Sequence, residues 1–187
     1  RGCTNLGICS EDEDKDFETA VTHYSEGCSG KDAKGCSRLG VLYLKGRGVE
    51  KDPERASGFF LRSCQLGYPA GCSNLGVMLE DGRGVDADPE RAAELYQRSC
   101  DLKEYQGCHN LASLHETGKG VAKDESMAVD LYMKACEGGI AYSCSYVGEM
   151  WTHDPDKKRF GLELLHRGCD AGDTWGCDQL KKIADGS

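Results

Sequence analysis

The residues best placed to do chemistry are cysteines. Ten of the twelve form five pairs at one spacing, eight positions apart: Cys28/Cys36, Cys64/Cys72, Cys100/Cys108, Cys136/Cys144 and Cys169/Cys177. Zinc prefers short-spaced ligand clusters such as Cys-x-x-Cys, and the sequence contains no such pair. Disulfides account for the spacing better, and they place the chain in an oxidising compartment. On a continuous helix, residues eight apart are separated by about 12 Å, beyond the roughly 4.4–6.8 Å between Cα atoms that a disulfide spans. The chain must therefore reverse within each pair. Gly67, Gly139 and Gly172, three residues after the first cysteine, stand where a helix stop with positive φ belongs. Each bridge closes a small loop and contributes roughly 2–3 kcal/mol in the chain-entropy model. Cys3 matches the second member of a pair. Cys9 falls at the register of Leu42, Met78, Leu114 and Met150, so a small core residue is expected there, with a Cys3–Cys9 bridge as the rival reading.

No other constellation of reactive residues emerges. The histidines, His23, His109, His115, His153 and His166, form no His-x-His or His-Glu-x-x-His pattern; His115-Glu116 is a fragment of the latter. His115 shares its register with Tyr43, Leu79 and Trp151, which makes it a packing residue. No serine precedes a lysine by three positions, Lys-Thr-Gly is absent, and so is a Gly-x-Ser-x-Gly elbow. The acidic run Glu11-Asp12-Glu13-Asp14 lacks the spaced ligands and glycine of a calcium loop and reads as a solvated turn. Gly82-Arg83-Gly84 and its equivalents Gly46-Arg47-Gly48 and Gly118-Lys119-Gly120 recur, as hinges do and a single phosphate site does not. Neither a metal nor a cofactor is expected.

The elements that position the cysteines repeat every 36 residues. From Cys64 the phrase runs through Gly71-Cys72-Ser73-Asn74-Leu75-Gly76, the loop Gly82-Arg83-Gly84-Val85, then Asp88-Pro89 and Ala92. The same grammar appears one step earlier from Cys28 and one step later from Cys100. Such a period signals a solenoid of helix pairs. The predicted division is a truncated first repeat over 1–27, repeats over 28–63, 64–99, 100–135 and 136–168, and a capping helix over 169–187. Each first helix starts just before the second cysteine and ends at the Gly-x-Gly loop. Each second helix starts at Asp52, Asp88 or Asp124 as N-cap, with Pro53 or Pro89 at the first helical position. Ala56/Phe60, Ala92/Tyr96 and Ala128/Tyr132 form its packing stripe. A second helix over about Asp16–Gly27 belongs to the broken first repeat, which opens in mid-phrase at Arg1-Gly2-Cys3, as if cut within a repeat. Gly40, Gly76 and Gly148, inside helices, imply close approach of a neighbouring helix. In the fourth repeat Trp151-Thr152-His153-Asp154-Pro155 replaces the glycine loop. Lys181 at the register of Gly40 suits a polar end cap.

The Gly-Cys-Ser-Asn-Leu-Gly phrase, the Gly-x-Gly-Val loop and the Asp…Ala spacing resemble Sel-one-like repeats, cousins of the tetratricopeptide repeat. The paired cysteines make the chain similar to the secreted Helicobacter cysteine-rich protein family. The resemblance implies an α/α superhelix in which each disulfide ties the end of one repeat to the start of the next. It also implies two functions: protein–protein adaptor, or weak penicillin-binding or β-lactam-hydrolysing protein. The fold expected is all-α, a right-handed α/α solenoid of about five disulfide-stapled repeats.

The composition narrows the partners. A formal net charge of −9 argues against nucleic acid, and no apolar run approaches the roughly 20 residues of a membrane span. What remains is a surface. First helices line the inner face of such arrays, and two residues after the second cysteine come Asn5, Arg38, Asn74, Asn110 and Tyr146. Beside them lie His109, Val41 and Val77. Arg38, Asn74, Asn110, Tyr146, Val41, Val77 and His109 are the candidate contacts for a peptide or protein, although asparagine can also recur there for structural reasons. Arg38 and Tyr146 break the phrase and are the strongest functional candidates. The expected function is a secreted or periplasmic scaffold, monomeric, binding a peptide or protein partner in its groove rather than acting as an enzyme. A weak β-lactamase and a mitochondrial intermembrane-space assembly factor are the alternatives.

Overall fold

The computed structural model describes residues 16–185. Cys3, Cys9, Asn5 and the acidic run, with the expectations stated for them, lie outside this range. Among the described residues every regular element is a helix, and the chain divides into two compact units, one ending at Glu104 and one starting at Tyr105. Each is a run of α/α solenoid helix pairs. The first holds α1 (Phe17–Ser29), α2 (Ala33–Lys45), α3 (Pro53–Gln65), α4 (Pro69–Asp81) and α5 (Pro89–Asp101). The second holds α6 (Tyr105–Thr117), α7 (Glu125–Glu137), α8 (Ala141–Thr152), α9 (Lys158–Asp170) and α10 (Thr174–Asp185).

Within a unit the helices are joined in two ways, and the sequence dictates both. Short turns link α1 to α2, α3 to α4, α7 to α8 and α9 to α10, and each is a complete Schellman motif. After α3, Gly67 N–H donates to the Cys64 carbonyl (3.0 Å) and Tyr68 N–H to the Ser63 carbonyl (3.1 Å). The other three turns repeat these bonds. The motif requires a left-handed residue, supplied by Gly67 (φ 85°), Gly139 (φ 94°) and Gly172 (φ 96°), but by Lys31 (φ 64°) in the first turn. The residue after it doubles as N-cap of the next helix: Asp32 accepts from the Lys34 and Gly35 amides, and Asp173 from that of Gly176. The reversal brings the paired cysteines to Cα separations of 4.5, 4.6, 4.6 and 4.7 Å in the bridges Cys28–Cys36, Cys64–Cys72, Cys136–Cys144 and Cys169–Cys177. Cys100 and Cys108 are disulfide-bonded as well.

Longer loops link α2 to α3, α4 to α5 and α6 to α7. Gly46 (φ 68°), Gly82 (φ 67°) and Gly118 (φ 74°) end the first helices in the left-handed region. The loop then returns: Asp52, Asp88 and Asp124 donate their N–H groups to the carbonyls of Tyr43, Leu79 and His115, each at 2.9 Å. Their side chains cap α3, α5 and α7 by accepting from the Arg55, Arg91 and Met127 amides. The second loop glycine is needed for space. A Cβ on Gly48 would lie 2.3 Å from the Phe17 carbonyl carbon, and one on Gly84 2.5 Å from that of Pro53.

The core is thin and repetitive. Ala20/Tyr24, Ala56/Phe60, Ala92/Tyr96 and Ala128/Tyr132 are buried on the second helices, against Leu39, Leu42, Leu75, Met78, Leu111, Leu114 and Val147 of the first helices. Each such ring contributes about 1.5–3 kcal/mol by burial. Gly40 and Gly76 admit those rings: a Cβ would meet Phe60 at 2.8 Å and Tyr96 at 2.6 Å. Ser63 and Ser99 satisfy their buried hydroxyls on the carbonyls of Ala33 (2.7 Å) and Pro69 (3.0 Å). The fourth repeat is built differently. Leu165 and Gly161 take the places of the ring and the alanine, so α8 and α9 meet backbone to backbone, with a Cβ on Gly148 only 2.8 Å from the Gly161 carbonyl oxygen. The shorter α8–α9 connection accompanies this closer pair. On α10, Lys181 is exposed and pairs with Asp178 at 3.4 Å.

Candidate functional site

The second unit carries a cluster assembled from four helices. Glu116, near the end of α6, accepts two hydroxyls. Tyr132 of α7 donates to its Oε2 at 2.9 Å, and Tyr146 of α8 donates to its Oε1. The register explains the arrangement: Glu116 stands eight after Cys108 as Glu80 stands eight after Cys72, and Glu80 likewise accepts from Tyr96 at 2.9 Å. Tyr146 is the addition. Around this carboxylate the rings form a chain: Tyr132–Tyr146 at 4.9 Å, Tyr142–Tyr146 at 6.0 Å, and Tyr142–Trp175 of α10 at 5.6 Å. His109 closes the cluster, 5.2 Å from Tyr132 and 5.8 Å from Tyr142.

A cleft of about 520 Å³ opens at the Glu116 end of the cluster, where Glu116, Tyr132 and Tyr146 line it together with Lys123, Glu125 and Met150. Its charge balance is acidic. Lys123 is already paired with Glu125 at 2.9 Å. Among the described residues no cation lies within ion-pair distance of Glu116, whose side-chain partners are the two phenols. Burial, reinforced by the Glu116 charge, raises the hydroxyls of Tyr132 and Tyr146 well above the ordinary tyrosine value of 10.0. Burial lowers His109 below 6.5, against the opposing pull of Glu116, so the imidazole is neutral at pH 7.

His109 Nδ1 lies 2.8 Å from the Ser143 hydroxyl, the opening contact of a nucleophilic pair. Ser143 is completely buried, however, so no substrate carbonyl reaches its Oγ. The pair fixes the ring and leaves no exposed nucleophile.

The residues expected from sequence fall in different places. Arg38 is exposed on α2, and Val41 is half-buried beside it. Asn74 and Val77 are half-buried on α4. On α6, Asn110 is half-buried and accepts from Gln106 Nε2 at 3.0 Å, one turn back on the same helix. His109 and Tyr146 come together in the cluster. Glu116, Tyr142 and Trp175 escaped sequence reasoning, and Tyr132 was assigned to packing alone. The shared register of Glu80 and Glu116 was the available signal.

The fold and cluster can be set beside known proteins. The family model described as Sel1 repeat matches residues 33–68, 69–104 and 106–140, more than half of the chain. The chain belongs to the Sel1 repeat family. The three matches begin at or within one residue of the starts of α2, α4 and α6, each a first helix. A solved Sel1 repeat protein from Oxalobacter formigenes superposes with a TM-score of 0.90 at 21% identity, over 97% of this chain and 76% of that one. Helicobacter pylori cysteine rich protein B superposes with a TM-score of 0.56 at 29% identity, over 72% of this chain and 97% of that one. A Helicobacter pylori protein bearing the name "Putative beta-lactamase HcpC" is 46% identical over 39 residues, 21% of this chain. The match spans only 13% of the length of that relative.

Proposed function

We propose that this Sel1 repeat chain is a binding scaffold that holds a peptide or protein segment against its first helices, in a secreted or periplasmic setting. The observation that carries the reading is the cluster centred on α6 and α8, where Tyr146, His109, Tyr142 and Glu116 meet Trp175 of α10 and an open cleft adjoins Glu116 and Tyr146. Rings with polar tips next to a carboxylate are the composition of recognition surfaces. The bridges support the compartment, because disulfides at every described short turn persist where thiols are oxidised. Arg38, Val41, Asn74 and Val77 offer a comparable first-helix face in the first unit. The test is selection of a displayed random-peptide library on the oxidised chain, with Arg38→Ala, Tyr146→Ala and, on the second-helix side, Glu94→Lys as variants. Selected peptides that lose ten-fold or more on Tyr146→Ala or Arg38→Ala and bind Glu94→Lys normally are expected. Failure to enrich any peptide, or binding indifferent to the first-helix variants, overturns the reading.

The name of HcpC supports a second reading, slow turnover of a β-lactam. The burial of Ser143 stands against it. Hydrolysis of a chromogenic cephalosporin that saturates with substrate and falls with His109→Gln would establish it.

A further inference from the structure

We infer that the cleft formed by α6, α7 and α8 takes the guanidinium of an arginine side chain from the bound segment, with the Glu116 carboxylate as its counter-charge and the half-buried ring of Tyr146 beside it. This deepens the scaffold reading and rests on it. An ionised carboxylate offers about four lone-pair sites, two on each oxygen. Tyr132 occupies a site on Oε2 and Tyr146 a site on Oε1, which leaves one acceptor site on each oxygen. A planar guanidinium donates two parallel N–H bonds and satisfies one site on each oxygen, whereas an ammonium is a point donor that does not match the pair.

The surroundings favour the same occupant. The phenols orient the carboxylate before any ligand arrives, which removes an ordering cost from binding. The Tyr132 ring is 4% exposed and packs against Tyr146 at 4.9 Å, tilted by 56°, so the half-buried Tyr146 is the ring left to meet a ligand. Arginine stacks on aromatic faces by attraction to the ring quadrupole. Met150 is 40% exposed at the rim and gives the aliphatic stem an adaptable apolar contact. The net charge of −9 draws basic segments toward the chain. Lys123, at the cleft wall, is paired with Glu125 at 2.9 Å and not with Glu116.

The test uses the oxidised chain and four pools of fluorescein-labelled pentapeptides, with random flanks and a central arginine, lysine, citrulline or glutamate. Citrulline keeps the shape of arginine and removes the charge. Fluorescence polarisation is expected to show the arginine pool binding about ten-fold tighter than the citrulline pool, tighter than lysine, and tightest at low salt. Glu116→Gln keeps an acceptor oxygen for one of the two phenols and removes the charge; it is expected to erase the arginine-over-citrulline ratio. Arginine and citrulline pools that agree within five-fold on the unmodified chain overturn this inference whether or not the variant folds, as does preference for the glutamate pool. The scaffold reading is judged separately by the display selection, so peptides selected without an arginine requirement refute the pocket and leave the scaffold standing.

Discussion

Two glycine-to-alanine changes inside helices are expected to shift stability in opposite directions. Gly58 lies on α3 with nothing within 4 Å of an added Cβ. Gly58→Ala therefore gains helix propensity, about 1 kcal/mol or somewhat less, at no steric cost. Gly76 lies on α4, where an added Cβ would stand 2.6 Å from Tyr96 Cε1 and 2.9 Å from Cδ1. That ring is fully buried and its hydroxyl is tied to Glu80 at 2.9 Å, so it cannot swing away without breaking a bond or opening a void. Overpacking of this kind costs roughly 1–3 kcal/mol, from which the propensity gain must be subtracted. The third repeat bounds the result, since it carries Ala112 at this register and keeps Tyr132 buried. The net expectation for Gly76→Ala is a loss of about 1 kcal/mol. Urea unfolding of the oxidised variants, followed by circular dichroism, separates them: midpoints should move up for Gly58→Ala and down for Gly76→Ala. Equal shifts of the same sign would refute the claim that the rings set the helix spacing.

Three other perturbations follow from the turns and the cluster. Lys31→Gly relieves a left-handed lysine (φ 64°) and should raise the unfolding midpoint by the equivalent of about 1 kcal/mol, a gain that thermal unfolding would register. Removing one bridge by Cys64→Ala with Cys72→Ala should cost about 2–3 kcal/mol, read by the same urea titration. The His109 imidazole, held below 6.5, binds a proton more readily in the unfolded chain, so stability present above pH 6.5 should decline as pH falls through the acid range. His109→Phe should flatten that decline in melting curves taken from pH 8 to 5. Tyr132 and Tyr146 have the opposite sign. They favour the folded state while protonated, and stability should fall as pH rises above 10.

The fold was legible because its determinants are local and repeated. The eight-residue cysteine spacing forced a reversal, Gly67, Gly139 and Gly172 marked its left-handed residue, and Asp52, Asp88 and Asp124 marked the next helix starts. Lys31 was invisible as such a residue, since nothing in a lysine announces positive φ. The cluster was only half legible. His109 and Tyr146 stand on the first-helix face that the repeat register defines, but Tyr132 reaches the cleft from the packing stripe of α7, where its ring is core and only its hydroxyl is functional. Glu116 was hidden inside a His-Glu dipeptide that suggested a metal motif. Trp175 belongs to α10, which is far from Tyr142 in sequence and near it only after the α8–α9 pair closes over two glycines.

Hydrogen–deuterium exchange on the oxidised chain, with and without the tightest peptide from the display selection, tests the central claim most directly. The scaffold account predicts slowed exchange in α6 and α8, with quenching of Trp175 fluorescence and little change along the outer side of α9. Protection confined to second helices or to the Gly-x-Gly loops, with α6 and α8 unchanged, would contradict it.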